Sequence, residues 1–231
     1  MWKAERFVYM TSEINATTLT ETVASIHAMI AQSSEPIVLW IASDGGSFVH
    51  SMALVQAIRT CSVPVHTVGF GFVASGAVMV LAAGNMRYAL PRTSFMSHQP
   101  SCGGEGDVHY REREREWGYD QWMYKQMLEI FREHSLLPNA KIKRLLLSTS
   151  YYYSEIEALK YGLIDEILME VRVENTGDGD LRVHGIAHSE GTTGGGPSGD
   201  RRGQLEQRGH GEPAVHAKRR SQILQGRFAG L

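Results

Sequence analysis

A single hydroxyl interrupts the most apolar stretch of this chain. Val68-Gly-Phe-Gly-Phe-Val-Ala-Ser75 reads as a strand ending on serine, and Gly76-Ala-Val-Met-Val-Leu-Ala-Ala-Gly84 reads as a buried helix starting one residue later. A second run, Pro36-Ile-Val-Leu-Trp-Ile-Ala42, is almost continuously apolar, as expected for a strand covered on both faces. Strands of this kind alternating with helical patterns predict an α/β domain with a largely parallel sheet. Further strands are expected over residues 6–10, 63–73, 87–90 and 94–97. Helices are expected from Thr17 or Thr18, as the cap, to about Gln32, over 48–61, and in one long segment over 109–135.

Composition shifts near Val173. The stretches Asn175-Thr-Gly-Asp-Gly-Asp180 and Gly191-Thr-Thr-Gly-Gly-Gly-Pro-Ser-Gly199 are polar and glycine-rich. Such a segment buries too little apolar surface to offset its ordering entropy. Residues 1–172 are therefore expected to form the folded domain and 173–231 a largely disordered tail, with Arg219 and Arg220 as a solvated basic pair.

Composition also narrows the partners. The formal net charge of −2 points to no nucleic acid or anionic membrane. No run approaches the roughly 18 apolar residues of a membrane span, and Met1 to Met10 lacks the apolar stretch of a signal peptide. The two cysteines, Cys61 and Cys102, make neither a disulfide framework nor a CxxC site. A cytoplasmic protein without cofactor or metal is the expectation.

A serine at a strand-to-helix turn needs a base, and His98 in Phe95-Met-Ser-His98-Gln-Pro100 stands at the end of a short apolar strand. Of the ten histidines, His27 and His50 fall in expected helices, and His66 reads as a satisfied core residue. The turn after Ser75 aims the free N–H groups of a helix start at the site. Ser43-Asp-Gly-Gly-Ser47 offers a second glycine-rich backbone, although from spacing alone a plain turn is the commoner reading. The long helix carries Arg111-Glu-Arg-Glu-Arg-Glu116 at its start and Trp117, Trp122, Met123, Met127, Ile130 and Phe131 beyond. It reads either as a solvated face with a core face or as a contact with a second subunit.

Taken in order, Trp40-Ile-Ala-Ser-Asp-Gly-Gly-Ser47, Gly71-Phe-Val-Ala-Ser75-Gly-Ala77, Leu81-Ala-Ala-Gly84, Arg87-Tyr-Ala-Leu-Pro91, Met96-Ser-His98-Gln-Pro100, Gly103-Gly104 and Glu157-Ala-Leu-Lys-Tyr-Gly-Leu-Ile-Asp165 resemble the proteolytic subunit of Clp protease over about residues 5–170. The resemblance implies repeated strand–strand–helix units of the type shared with crotonases, with the long helix as a handle. It implies a serine endopeptidase with Ser75 as nucleophile, His98 as base, and the Gly46 and Gly76 N–H groups as oxyanion hole. It further implies a peptide groove along Gly103 and Gly104, unfolded polypeptide substrates, and homo-oligomeric heptameric rings that stack in pairs.

The chain also departs from the family pattern. Aligned on Glu157 and Ala158, the family's third triad member, an aspartate or asparagine, is Ser150. The arginine and aspartate that help couple the family's rings are absent from Ser148-Thr-Ser-Tyr-Tyr-Tyr153. The resemblance implies a Clp ATPase partner, but the axial loops that contact it have no counterpart in Met1 to Glu5. A catalytically weak subunit and an ATPase-independent maturation protease of viral type are the alternatives, with an acyl-CoA enzyme on the same fold a more distant one.

Overall fold

The computed structural model describes residues 2–100, 110–147, 149–175 and 181–187. Its centre is a parallel set of strands, β2 (Phe7–Met10), β3 (Ile37–Ser43), β4 (Val65–Ala74), β5 (Arg87–Ala89) and β8 (Glu166–Asn175). β8 continues antiparallel into β9 (Leu181–Ala187), which pairs with β1 (Trp2–Lys3), so the sheet runs β1-β9-β8-β5-β4-β3-β2. The boundary drawn at residue 172 falls inside β8. The sheet takes up Val173–Asn175 and Leu181–Ala187, which composition alone had assigned to the tail. Main-chain hydrogen bonding explains this, because a ladder needs little from its side chains. All described elements fall in one unit, Met1–Glu190.

Helices α1 (Ala16–Gln32), α2 (Phe48–Arg59) and α3 (Gly76–Ala82) follow their strands by short connections. The α1 cap is Asn15, not a threonine. Its side chain accepts the N–H groups of Thr17 and Thr18 at 2.9 and 3.1 Å. All seven residues of α3 are buried. Ala77 to Ala82 share one core with Ile14, Leu39, Ile41, Leu54 and Ile58, in which each buried Val, Leu, Ile or Met side chain is worth about 1.5–3 kcal/mol. The long helix α4 (Tyr110–His134) puts Met127, Leu128, Ile130 and Phe131 into this core, and Met123 is buried beside them in sequence. Trp117 (67% exposed) and Trp122 (48%) stay on the surface, and the Trp122 ring stacks on Tyr119. The side chains of Arg111 to Glu116 lie outside the described residues. Helices α5 (Asn139–Leu147) and α6 (Glu155–Lys160) flank strand β7 (Tyr151–Ser154), and Ser154 and Glu157 close a capping box at the start of α6.

Arg87 on β5 binds these parts together. Its guanidinium meets Asp165 at 2.6 Å with both side chains almost fully buried, and it also donates to the carbonyls of His134 (2.6 Å) and Gly162 (3.0 Å). The Asp165 carboxylate in turn accepts the Arg87 backbone N–H at 2.8 Å. One ion pair thus ties the sheet to the end of α4 and to the turn before β8.

His66 on β4 differs from a satisfied core histidine, since its Nδ1 is buried without a hydrogen-bond partner among the described residues. Burial first, and then the positive N-terminus, lower its pKa from 6.5 to about 4, against an opposing pull from Asp165.

Two outcomes follow. Asp165→Ala leaves the Arg87 charge buried and unpaired, and is expected to cost about 3–5 kcal/mol in urea unfolding. For His66, the unfolded chain binds a proton that the folded chain refuses between pH 6.5 and about 4. Its contribution to stability is therefore lost as pH falls through that window, by about 3 kcal/mol in all, and His66→Gln should make the stability–pH curve correspondingly flatter.

Candidate active site

Strand β4 pairs with two strands in succession. Thr67–Gly69 pair with β5, whereas Phe72–Ala74 pair with β6 (Ser94–Ser97), parallel and in register Ala74↔Met96. Gly71 lies between the two halves with φ +62° and open space around it, a conformation glycine adopts without strain. β6 then pairs antiparallel with β7. On the buried face of this branch of the sheet, Phe95 stacks on Tyr153 with ring centroids 5.4 Å apart, and the Tyr153 hydroxyl meets Ser97 Oγ at 3.0 Å. That locks β6 and sends the residue after Ser97 to the opposite face.

Ser75 is the hinge from β4 into α3. Its backbone sits at φ 54°, ψ −123°, a region that costs a non-glycine residue roughly 1–3 kcal/mol. Its N–H donates to the Met96 carbonyl at 2.8 Å and its carbonyl accepts from Val78 at 3.1 Å, so the conformation is held from both sides. The reward is placement: Ser75 Oγ lies 2.7 Å from His98 Nε2. With the imidazole in its Nδ1–H tautomer, the hydroxyl donates to Nε2, as a nucleophile does to its base.

The Gly45–Gly46 turn packs directly onto this hinge. A Cβ on Gly45 would stand 2.7 Å from the Ala74 carbonyl oxygen and from Ser75 Cβ, and Gly45 itself has φ +93°. A bridge to Ile14 sets the turn: Ile14 N–H donates to Gly45 O at 2.7 Å, and Ser47 N–H to Ile14 O at 2.8 Å. Those bonds leave the Gly46 N–H unused, and Gly76 N–H, at the first position of α3, is likewise without a hydrogen bond among the described residues. The turn is braced from beneath by Ser43, whose buried Oγ accepts the Gly45 N–H at 3.1 Å and donates to the Ser12 carbonyl at 2.6 Å.

The paired glycines of this stretch are legible in the sequence; the bracing role of the Ser43 hydroxyl is not. A hydroxyl closing the apolar run of β3 was the available signal for Ser43. Ser150 is exposed, and its Oγ donates to the Thr149 carbonyl at 2.7 Å. The β6–β7 register, with Ser97↔Tyr151, sets Ser150 opposite His98 when continued by one residue. No hydrogen bond joins the two, and no carboxylate hydrogen-bonds His98 among the described residues. Gly103 and Gly104 lie outside the described residues. No cluster of His, Cys, Asp or Glu suited to a metal ion, and no helix long and apolar enough to cross a membrane, occurs among the described residues.

A parallel-sheet α/β protein with a serine and a histidine paired at adjacent strand ends is the class that fold and site define. Comparison makes this specific. The family model for Clp protease matches residues 1–171, and the chain belongs to that family, a family of peptidases. It is 34% identical over 172 residues to ATP-dependent Clp protease proteolytic subunit 2 of Thermobifida fusca, covering 71% of this chain and 81% of the relative. It is 29% identical over 176 residues to the ATP-dependent Clp protease proteolytic subunit of Deinococcus radiodurans, covering 75% and 84%. Among solved structures, a ClpP1 point mutant from Listeria monocytogenes aligns with a TM-score of 0.65 and 25% identity over 72% of this chain and 92% of its own.

Proposed function

We propose that this chain is a serine-type endopeptidase that cleaves extended, unfolded polypeptide inside an oligomeric ring. The observation that carries the reading is the 2.7 Å contact between Ser75 Oγ and His98 Nε2 at the ends of two hydrogen-bonded parallel strands.

Ser75 Oγ attacks the scissile carbonyl while His98 Nε2 takes its proton. The carbonyl oxygen, now an anion, is held by the N–H groups of Gly46 and Gly76, both otherwise unused. Collapse breaks the C–N bond, and His98 returns the proton to the leaving amine. A water then gives its proton to His98 and attacks the acyl-Ser75 ester, and the second tetrahedral species releases the acid and restores the hydroxyl. The substrate lies as an added strand along the segment containing Gly103 and Gly104, held by main-chain hydrogen bonds. The exposed aromatic rings of α4 suit contact with another subunit, in keeping with a heptameric homo-oligomer. A Clp ATPase as partner and a cytoplasmic setting belong to the same reading.

A second reading, a subunit of low intrinsic activity, is favoured by one observation. At the position facing His98 stands a hydroxyl, Ser150, whose proton is already given to Thr149. A neutral oxygen can accept from Nδ1–H and fix the tautomer, but it stabilises the imidazolium less than a carboxylate.

Hydrolysis of a fluorogenic peptide by the purified oligomer tests the first reading. Ser75→Ala is expected to abolish turnover with folding intact, and residual turnover at the wild-type rate would contradict it. Ser150→Asp separates the two readings. On the low-activity reading kcat/KM rises by about tenfold or more, whereas brisk wild-type turnover with no gain in the variant removes that reading.

A further inference from the structure

Helical serines commonly donate to the carbonyl four residues back, and Ser51 of α2 does so, to Ser47 at 2.9 Å. Its surroundings make more of that bond. Ser51 is 0% exposed, and the other buried residues of α2 are the aliphatic Leu54, Val55 and Ile58. A Cβ placed on Gly76 would stand only 2.2 Å from Ser51 Oγ and 3.1 Å from Ser51 Cβ. The hydroxyl therefore presses on the Gly76 α-carbon and fills the space a side chain there would need. Its acceptor, Ser47, directly follows Gly46, and the Ser47 N–H is itself tied to Ile14. One side chain thus touches both backbone segments that carry the two unused N–H groups.

We infer that Ser51 is a positioning residue, holding the Gly46 and Gly76 N–H groups at the spacing and aim a tetrahedral oxyanion needs. The inference rests on the peptidase reading above. Oxyanion donors act only when they lie about 2.7–3.1 Å from where the charge develops, so a small relaxation of either segment is felt in the transition state and not in the ground state. Alanine at 51 keeps the Cβ and the backbone N–H bond to the Ser47 carbonyl at 2.9 Å, but removes the wedge against Gly76 and the second, side-chain bond to that carbonyl. Cysteine restores the bulk with a weaker donor.

The test uses the full chain with Ser51→Ala and Ser51→Cys. For each, kcat and KM are measured on a fluorogenic peptide, along with the affinity of a peptide boronate, whose boron adds Ser75 Oγ to form a tetrahedral anion. Binding of the unmodified peptide is measured in a Ser75→Ala background. Ser51→Ala is expected to lower kcat roughly 10- to 100-fold, below the ~10²–10³ cost of losing a whole donor. Boronate affinity should fall in proportion, with KM and peptide binding unchanged and Ser51→Cys recovering part of the loss. Wild-type kcat and boronate affinity in Ser51→Ala overturn the inference, as does a loss that appears equally in peptide binding. A wild-type chain that neither turns over peptide nor takes up boronate sinks the peptidase reading itself, and the role of Ser51 with it.

Discussion

The parallel pairing of β4 with β6 is the constraint on which the site depends. Ala74 and Met96 stand in register, and the Ser75 N–H closes the ladder on the Met96 carbonyl at 2.8 Å. Two strands that end side by side must deliver their next residues side by side. Ser75 and His98, separated by 23 positions in sequence, are thereby brought to 2.7 Å with little freedom left to either. The positive φ of Ser75 is stable only because this hydrogen bond, together with buried α3 beyond it, over-determines the turn. Its neighbours support that geometry: Gly71 lies between the β5-paired and β6-paired halves of β4, and the Phe95–Tyr153 stack and the Ser97–Tyr153 hydrogen bond anchor β6 from the other side.

Around this pair the backbone approaches too closely for side chains. Gly45 abuts Ser75, Gly46 abuts Ile14, and Gly76 abuts Ser51. Hydroxyls fill the role that bulkier residues hold elsewhere in a core. Ser43 takes up the Gly45 N–H and Ser51 lies against Gly76, while the N–H groups of Gly46 and Gly76 have no hydrogen bond among the described residues. Buried polar groups are costly unless bonded, and each of these serines is bonded, which accounts for their place among aliphatic neighbours.

Much of this was legible in the sequence because it is local. The strand-to-helix junction at Ser75, the apolar runs of β3 and β4, and the core face of α4 all follow from patterns within a few residues. What depended on distant pairing was not legible. The β8–β9 hairpin is invisible to composition because backbone bonding, not apolar content, recruits it. Ser51 reads as one polar residue in an amphipathic helix until Gly76, far along the chain, is seen against it. His66 sits in an apolar strand, and nothing local reveals that its Nδ1 lacks a hydrogen-bond partner among the described residues. Asn15 rather than a threonine caps α1 because the helix begins at Ala16, within the usual uncertainty of a boundary drawn from periodicity.

The proposed function turns on the activation of Ser75 by His98. The most direct measurement is the rate at which a fluorophosphonate phosphonylates Ser75, followed by intact mass and peptide mapping, in the wild-type chain and in His98→Ala. General-base assistance is worth about 10²–10⁴-fold. A single adduct on Ser75 is expected, forming slower by that order in His98→Ala. An adduct on another residue, or equal rates in the two proteins, would contradict it.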